Sequence, residues 1–225
     1  MKNHITENLL KTYSMKNNIQ YHLNIDQRSH EWHNLRYGRV GGSESEALLV
    51  KGKSAHGLGT GAITLLYNKI WELKTSTPAK DHFVTDAMQR GIDLEGEAIY
   101  VYQNNRFKTV TLCGYVTNAD KKYAGYSPDG LIGEDGLIEI KCPGHIEYIR
   151  TLIEQDVPKR YQAQIQWGMM MTGRSWCDYV VYNPDFESKP MVVDRVERDN
   201  NMIELLLENY LVFENLVNQT LNQLD

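Results

Sequence analysis

The sequence predicts an α/β protein in which a short mixed central sheet carries acidic side chains and helices cover both faces. Three observations predict it. A tight-turn signal, Asp135-Gly136, separates Leu131-Ile132 from Leu137-Ile138-Glu139-Ile140-Lys141, which is the pattern of a β-hairpin. Residues 83–104 and 201–221 repeat apolar side chains at steps of three and four, which is helical spacing. Residues 179–182 and 191–196 read as two further strands. With 225 residues, no internal repeat and no convincing linker, one domain is expected over residues 1–225.

Along the chain, residues 1–27 are polar and Asn-rich, with a weak apolar pattern at Leu9, Leu10 and Tyr13, and predict a loose arm or accessory helix. Gly41-Gly42-Ser43 followed by Glu44-Ser45-Glu46 predicts a loop feeding a helix, with Ser43 as N-cap and Glu46 completing a capping box. A helix N-terminus beside Arg36 would make an anion site. On the pattern alone, Ser43 is simply a cap, Trp32 packs, and Arg36 pairs with a nearby acid. Lys51-Gly52-Lys53-Ser54 begins a Gly-rich exposed loop without the spacing of a phosphate-binding loop, and its lysines suit contacts to a polyanion.

Residues 62–73 predict an amphipathic helix. In the helix over 83–104, Met88, Ile92, Ile99 and Tyr102 fall on one stripe, and Glu95 lies on that stripe too. A charge there needs a partner, either a Lys or Arg in a salt bridge or a ligand. Glu97 should face elsewhere. Residues 108–118 predict one strand. After Pro143 the pattern is helical with a break near Pro158, and Gln164 shares a stripe with Tyr161, Gly168 and Met171, where a core hydrogen bond is the simplest role. The last helix carries Met202, Leu205, Leu206, Tyr210, Phe213 and Val217 on one face, which predicts core or subunit contact.

Composition narrows the function. Hydrophobic content of 41% and charged content of 24% suit a soluble globular protein. No apolar run approaches the ~20 residues needed to span a bilayer. Met1-Lys2-Asn3-His4 lacks an export signal, so a cytoplasmic protein without membrane contact is expected. Cys113, Cys142 and Cys177 are scattered, as in reduced cytosolic proteins, and lack metal-site spacing. A net charge of −5 argues against a protein that simply coats nucleic acid, which is usually basic, so any DNA contact must be local.

The hairpin carries the chemistry. If the chain folds back at Asp135-Gly136, Asp129 lands opposite Glu139 or Ile140. Alternation then turns Ile138, Ile140 and Cys142 to a core and Leu137, Glu139 and Lys141 to the other face. Two carboxylates and an ammonium converge, a donor set suited to Mg²⁺ with retained waters. A metal there would polarise a phosphoryl oxygen, and Lys141 would orient the attacking water.

Pro128-Asp129-Gly130, a hairpin, then Glu139-Ile140-Lys141-Cys142-Pro143 resembles the core of the PD-(D/E)xK nuclease superfamily. With Trp32-His33-Asn34-Leu35-Arg36-Tyr37-Gly38, Gly91-Ile92-Asp93-Leu94-Glu95 and Gln162-Ala163-Gln164, the chain resembles, over residues 32–184, the phage lambda exonuclease and YqaJ-like viral recombinase family. The resemblance implies that Asp129, Glu139 and Glu95 hold the metal together with the Ile140 carbonyl, and that Lys141 assists the nucleophile. It implies that Arg36 and Ser43, with Ser127 and Gln164 beside them, bind the 5′ phosphate of the strand being degraded. The lambda enzyme has Thr-Ala where this chain has Gly41-Gly42, so a more mobile loop is expected.

The activity so implied is a Mg²⁺-dependent 5′-to-3′ exonuclease, with Mn²⁺ also acceptable, degrading one strand of linear double-stranded DNA in phage-type recombination. A ring-shaped homotrimer, a single-strand annealing partner and the cytoplasm of a bacterial host are implied as well. A structure- or sequence-specific endonuclease on the same core is one alternative. A non-catalytic DNA-binding or annealing protein is another.

Overall fold

The computed structural model describes residues 18–53, 56–79 and 84–224. Strand β1 (Ile19–His22) opens it, followed by helix α1 (His30–Arg36), capped by the Ser29 hydroxyl, which accepts from Trp32 N. A 3₁₀ turn (Gly42–Glu44) leads into the single turn α2 (Glu46–Leu49) and then the long helices α3 (Thr60–Thr75) and α4 (Asp86–Arg106). Strands β2 (Val110–Thr111), β3 (Tyr115–Asn118), β4 (Gly125–Tyr126), β5 (Gly130–Ile132) and β6 (Gly136–Lys141) come next. Helices α5 (His145–Glu154) and α6 (Lys159–Thr172) separate β6 from β7 (Trp176–Tyr182). Strand β8 (Met191–Glu197) and helix α7 (Asn200–Leu224) close the chain.

The main sheet has the order β2-β5-β6-β7-β8 and is mixed. β6 and β7 run parallel, and the other neighbours are antiparallel. A parallel pair needs a long crossover, which α5 and α6 supply, with Pro158 at the N-cap position of α6, at the expected break. One face packs Leu137, Cys177 and Tyr179 against Trp167 of α6 and Phe213 of α7. The other packs Ile138, Ile140, Cys142 and Val180 against Ala98 and Tyr102 of α4. Both faces of β6 are therefore core, so Leu137 is as buried as Ile138, whereas alternation had assigned a core to one face only. The three cysteines are free and buried.

Several expectations are corrected. Within the expected polar arm, residues 19–22 form a strand paired with β3, too short for alternation to show, while Leu9, Leu10 and Tyr13 lie outside the described residues. The single strand expected over 108–118 is two strands in different sheets. The chain crosses between them at Gly114, whose N–H donates to the His22 carbonyl and where a Cβ would sit 1.9 Å from the Ile25 carbonyl oxygen. The hairpin turn occupies residues 133–135, with the left-handed residue at Gly133 (φ +54°). Gly136 already belongs to β6, and a Cβ there would lie 2.2 Å from the Trp176 ring. In α4 the buried side is Ala98 and Tyr102, leaving Met88 exposed. In α7, Ile203 is buried where Leu205 was expected.

A polar cluster ties α4 to the sheet. Asp178 of β7 accepts hydrogen bonds from Tyr102 and Arg195 and pairs with Lys108. Burial alone would raise its carboxyl, but the hydrogen bonds from Arg195 and Tyr102 and the adjacent positive charges outweigh it and hold the group below its ordinary value. A carboxyl depressed in the folded state stabilises the fold above the unfolded value, ~4 for Asp, and loses that contribution as pH falls through the folded value. Asp178→Asn is therefore expected to lower stability by about 3 kcal/mol at pH 7. The gap between mutant and wild type should shrink below about pH 4, read as thermal midpoints at pH 7 and pH 3.

Candidate active site

The register of β5 on β6, Gly130 opposite Ile138, brings Asp129 beside Glu139 and Ile140. Asp129 Oδ2 accepts from Ile140 N at 2.6 Å, which fixes the carboxylate at the end of β5. Glu139 is fully buried, and its Oε1 accepts from Lys141 Nζ at 2.5 Å and from Gln164 Nε2 at 2.6 Å. Gln164 of α6 therefore reaches the acid rather than ending in a core hydrogen bond. The Lys141 ammonium also lies 4.9 Å from the centre of the Tyr161 ring.

Glu95 of α4 faces this group from across a cleft of about 280 Å³, which Ile92, Asp129, Ile140 and Lys141 also line. Its carboxylate pairs with Arg28 at 3.3 Å. The salt-bridge reading of Glu95 is thus met by Arg28, and of the other two acids Asp129 lines the same cleft while Glu139 is buried behind it, reached through Lys141. Glu97 turns away and accepts from the Tyr182 hydroxyl at 2.7 Å.

The charge balance of the cleft is uneven. Burial first, then the Glu139 charge, push the Asp129 carboxyl well above the usual carboxylate range, and Lys141 and the Ile140 N–H only partly oppose them. Burial pulls the Lys141 ammonium down, yet Glu139 and Asp129 overcome this and leave it above its ordinary value. A second positive charge would relieve Asp129, and the Asp129 and Glu95 carboxylates that line the cleft are oxygen donors of the kind hard divalent cations prefer. Among the described residues no group of three acids, histidines or cysteines is placed to hold a metal ion together. This donor set fits an ion that keeps waters and substrate oxygens in its shell.

Arg36 and Ser127 form a second group nearby. The Arg36 guanidinium stacks 4.3 Å over the Trp32 ring, with Nη1 3.5 Å from Ser127 Oγ. Ser127 is itself held by Trp32 Nε1 at 2.9 Å. Gly42 abuts Gln164: a Cβ there would come 3.1 Å from Gln164 Cγ and 3.3 Å from the Tyr126 ring, so a bulkier residue would press on both.

Ser43 is corrected. It does not cap a helix. Gly41 starts a three-residue 3₁₀ turn, and its N–H already donates to Glu44 at 2.9 Å, so the expected helix N-terminus beside Arg36 is taken up internally. Ser43 is exposed and lines a different cavity, of about 560 Å³, beside Glu44, Glu46 and Glu72. Larger as it is, that cavity offers acids where an anion would bind. Lys51 and Lys53 are exposed at the base of their loop, which Gly52 N to Gly57 O closes at 2.8 Å, and Ser54 lies outside the described residues. Sequence reasoning missed Arg28, because nothing local links it to a partner 67 residues away.

A mixed sheet with helices on both faces, with Asp, Glu and Lys at the ends of its inner strands β5 and β6, defines the class: a nuclease fold of the PD-(D/E)xK type. The chain belongs to the YqaJ-like viral recombinase family, whose model matches residues 31–175. Among solved structures it is similar to the alkaline exonuclease LHK-Exo from Laribacter hongkongensis, at 30% identity and TM-score 0.77, covering 87% of this chain and 96% of that one. The same enzyme in complex with dAMP matches at 30% identity and TM-score 0.78, with the same coverage. A phage-related exonuclease from Haemophilus somnus 129PT shares the fold at 15% identity and TM-score 0.65, over 86% of this chain and 99% of that one. No curated protein matches the chain. These likenesses support a nuclease activity. Among the described residues no helix is long and apolar enough to cross a membrane.

Proposed function

We propose that this chain is a divalent-metal-dependent deoxyribonuclease that degrades one strand of linear double-stranded DNA from its 5′ end. The observation that carries the reading is the convergence of Asp129, Glu139 and Lys141 at the end of the β5–β6 hairpin, with Glu95 facing Asp129 and Lys141 across one cleft. Asp129, Glu139 and Glu95 would hold Mg²⁺, or Mn²⁺ through the same oxygen donors, with the Ile140 carbonyl a further ligand. When bound, such an ion supplies charge stabilisation at a phosphoryl oxygen and a lowered pKa for its water.

The chain's own groups do the rest. Lys141, anchored by Glu139, orients the attacking water and stabilises the charge that develops on the phosphoryl oxygens. Gln164 keeps the Glu139 carboxylate in place. Water adds to phosphorus as the bond to the 3′ oxygen breaks, and a nucleoside monophosphate leaves. The complex of LHK-Exo with dAMP, a mononucleotide, supports a product of that chemistry.

Arg36 and Ser127 bind the terminal 5′ phosphate, with Gln164 between them and the acids. Ser43 is the least supported member of that set, given its acidic neighbours. By family resemblance the protein works as a homotrimer around DNA, with a single-strand annealing protein, in the cytoplasm of a bacterial host.

End-labelled linear duplex, with or without a 5′ phosphate and with Mg²⁺ or chelator, tests the reading, with covalently closed circles as control. Metal-dependent release of mononucleotides from 5′-phosphorylated ends is expected, and rapid cutting of circles would assign the core to an endonuclease instead. In the same assay Arg36→Ala should lower kcat/KM on 5′-phosphorylated ends about 10- to 100-fold, the worth of a charge-assisted phosphate contact, and change 5′-hydroxyl ends little. An equal loss on both ends removes the phosphate role of Arg36.

A further inference from the structure

Arg28 stands out at the mouth of the cleft for its backbone as well as its charge. Its φ of +72° is a left-handed conformation that residues bearing a Cβ seldom adopt. Both neighbours are anchored. Gln27 Nε2 donates to the Pro128 carbonyl at 2.8 Å, next to Asp129, and Ser29 caps α1. The main chain is therefore held so that the Arg28 side chain projects over the cleft, where its Nη2 meets Glu95 Oε2 at 3.3 Å. The guanidinium is about half exposed and Glu95 about a quarter, so the pair can separate without uncovering a core. Other residues lining the same cleft are Asp129, Ile140 and Lys141.

We propose that Arg28 is a built-in competitor for Glu95. In the metal-free protein the guanidinium holds the carboxylate, and on metal loading it yields the carboxylate and is freed to bind a phosphate of the DNA strand at the cleft mouth. Metal loading and DNA loading thereby favour each other, because each takes one partner of the same ion pair. This inference rests on the proposed reading of Glu95 as a metal ligand.

The test is Mn²⁺ binding by the full chain without DNA, followed by the electron paramagnetic resonance signal of the free ion. Arg28→Gly should bind Mn²⁺ about fivefold more tightly than wild type, the scale of a partly exposed ion pair. Arg28→Lys, which keeps a cation, should stay near wild type. The glycine variant should fold at least as well as wild type, since φ +72° suits glycine. Repeating the titration with a 5′-phosphorylated duplex blocked by terminal phosphorothioates should raise wild-type Mn²⁺ affinity more than that of Arg28→Gly.

Equal Mn²⁺ affinity in wild type and Arg28→Gly, with Glu95→Gln weakening both, overturns the competitor role and leaves the metal reading standing. A lysine variant that behaves like the glycine one overturns the role too, and an equal effect of DNA on both proteins overturns the transfer to phosphate. Mn²⁺ affinity that ignores both Glu95→Gln and Asp129→Asn overturns the reading of the cleft itself.

Discussion

Lys141→Ala is expected to lower single-turnover DNA hydrolysis by about 10³-fold or more, the range seen when a positioned charge-stabilising donor is removed from an active site. The ammonium is held on two sides, by Glu139 Oε1 at 2.5 Å and by the face of Tyr161, so its position is set before substrate arrives. Its charge is secure, since its carboxylate neighbours hold it above its ordinary value.

The same contact makes alanine a structural change. Glu139 is fully buried, and without Lys141 its nearest donors are Gln164 at 2.6 Å and the Tyr126 hydroxyl at 3.5 Å. Removing one member of a buried pair costs up to about 3 kcal/mol, less here because the lysine side chain is a quarter exposed. Lys141→Gln separates the two effects. It retains a donor towards Glu139 and should melt close to wild type, yet it lacks the charge and should be as inactive as alanine. Digestion at wild-type rate by either variant would remove Lys141 from the chemistry.

How much of this was legible in the sequence follows from the distances along the chain over which each feature is built. Asp129, Glu139 and Lys141 were legible because a short hairpin and a period of two fix their mutual placement within thirteen residues. Glu95 was legible from helical spacing, although that stripe faces the cleft at Ile92 and the core only from Ala98 onward. The Trp32–Ser127 bond spans 95 residues and the Tyr102–Asp178 bond 76. No local period encodes such pairs, and only the packed fold brings them together. Ser43 was misjudged for a related reason. The capping pattern is real, but it is satisfied two residues earlier, at Gly41 and Glu44, because the helix there lasts a single turn.

Asp129→Asn is expected to move activity and stability in opposite directions. Loss of a proposed metal-binding carboxylate should reduce hydrolysis by at least about 10³-fold, comparable to loss of a principal charge-stabilising group. The metal-free protein should nevertheless melt several degrees higher. The Asp129 carboxyl is pushed well above its usual range by burial and by Glu139, which means that its ionised form destabilises the fold at neutral pH. Asparagine is nearly isosteric and carries no charge. Its side-chain oxygen can still accept from Ile140 N, the 2.6 Å bond that fixes this end of β5. Relief of about 1–2 kcal/mol is reasonable for a charge in partial contact with water, and at this chain length each kcal/mol corresponds to about 2–4 °C. Mg²⁺ should erase the difference, because the wild-type carboxylate gains its counter-charge and the variant does not. Thermal midpoints of both proteins with chelator and with Mg²⁺ give the answer. A variant that melts lower than wild type in chelator would mean that Asp129 is already balanced within the protein, and the electrostatic case for a cation in this cleft would be lost with it.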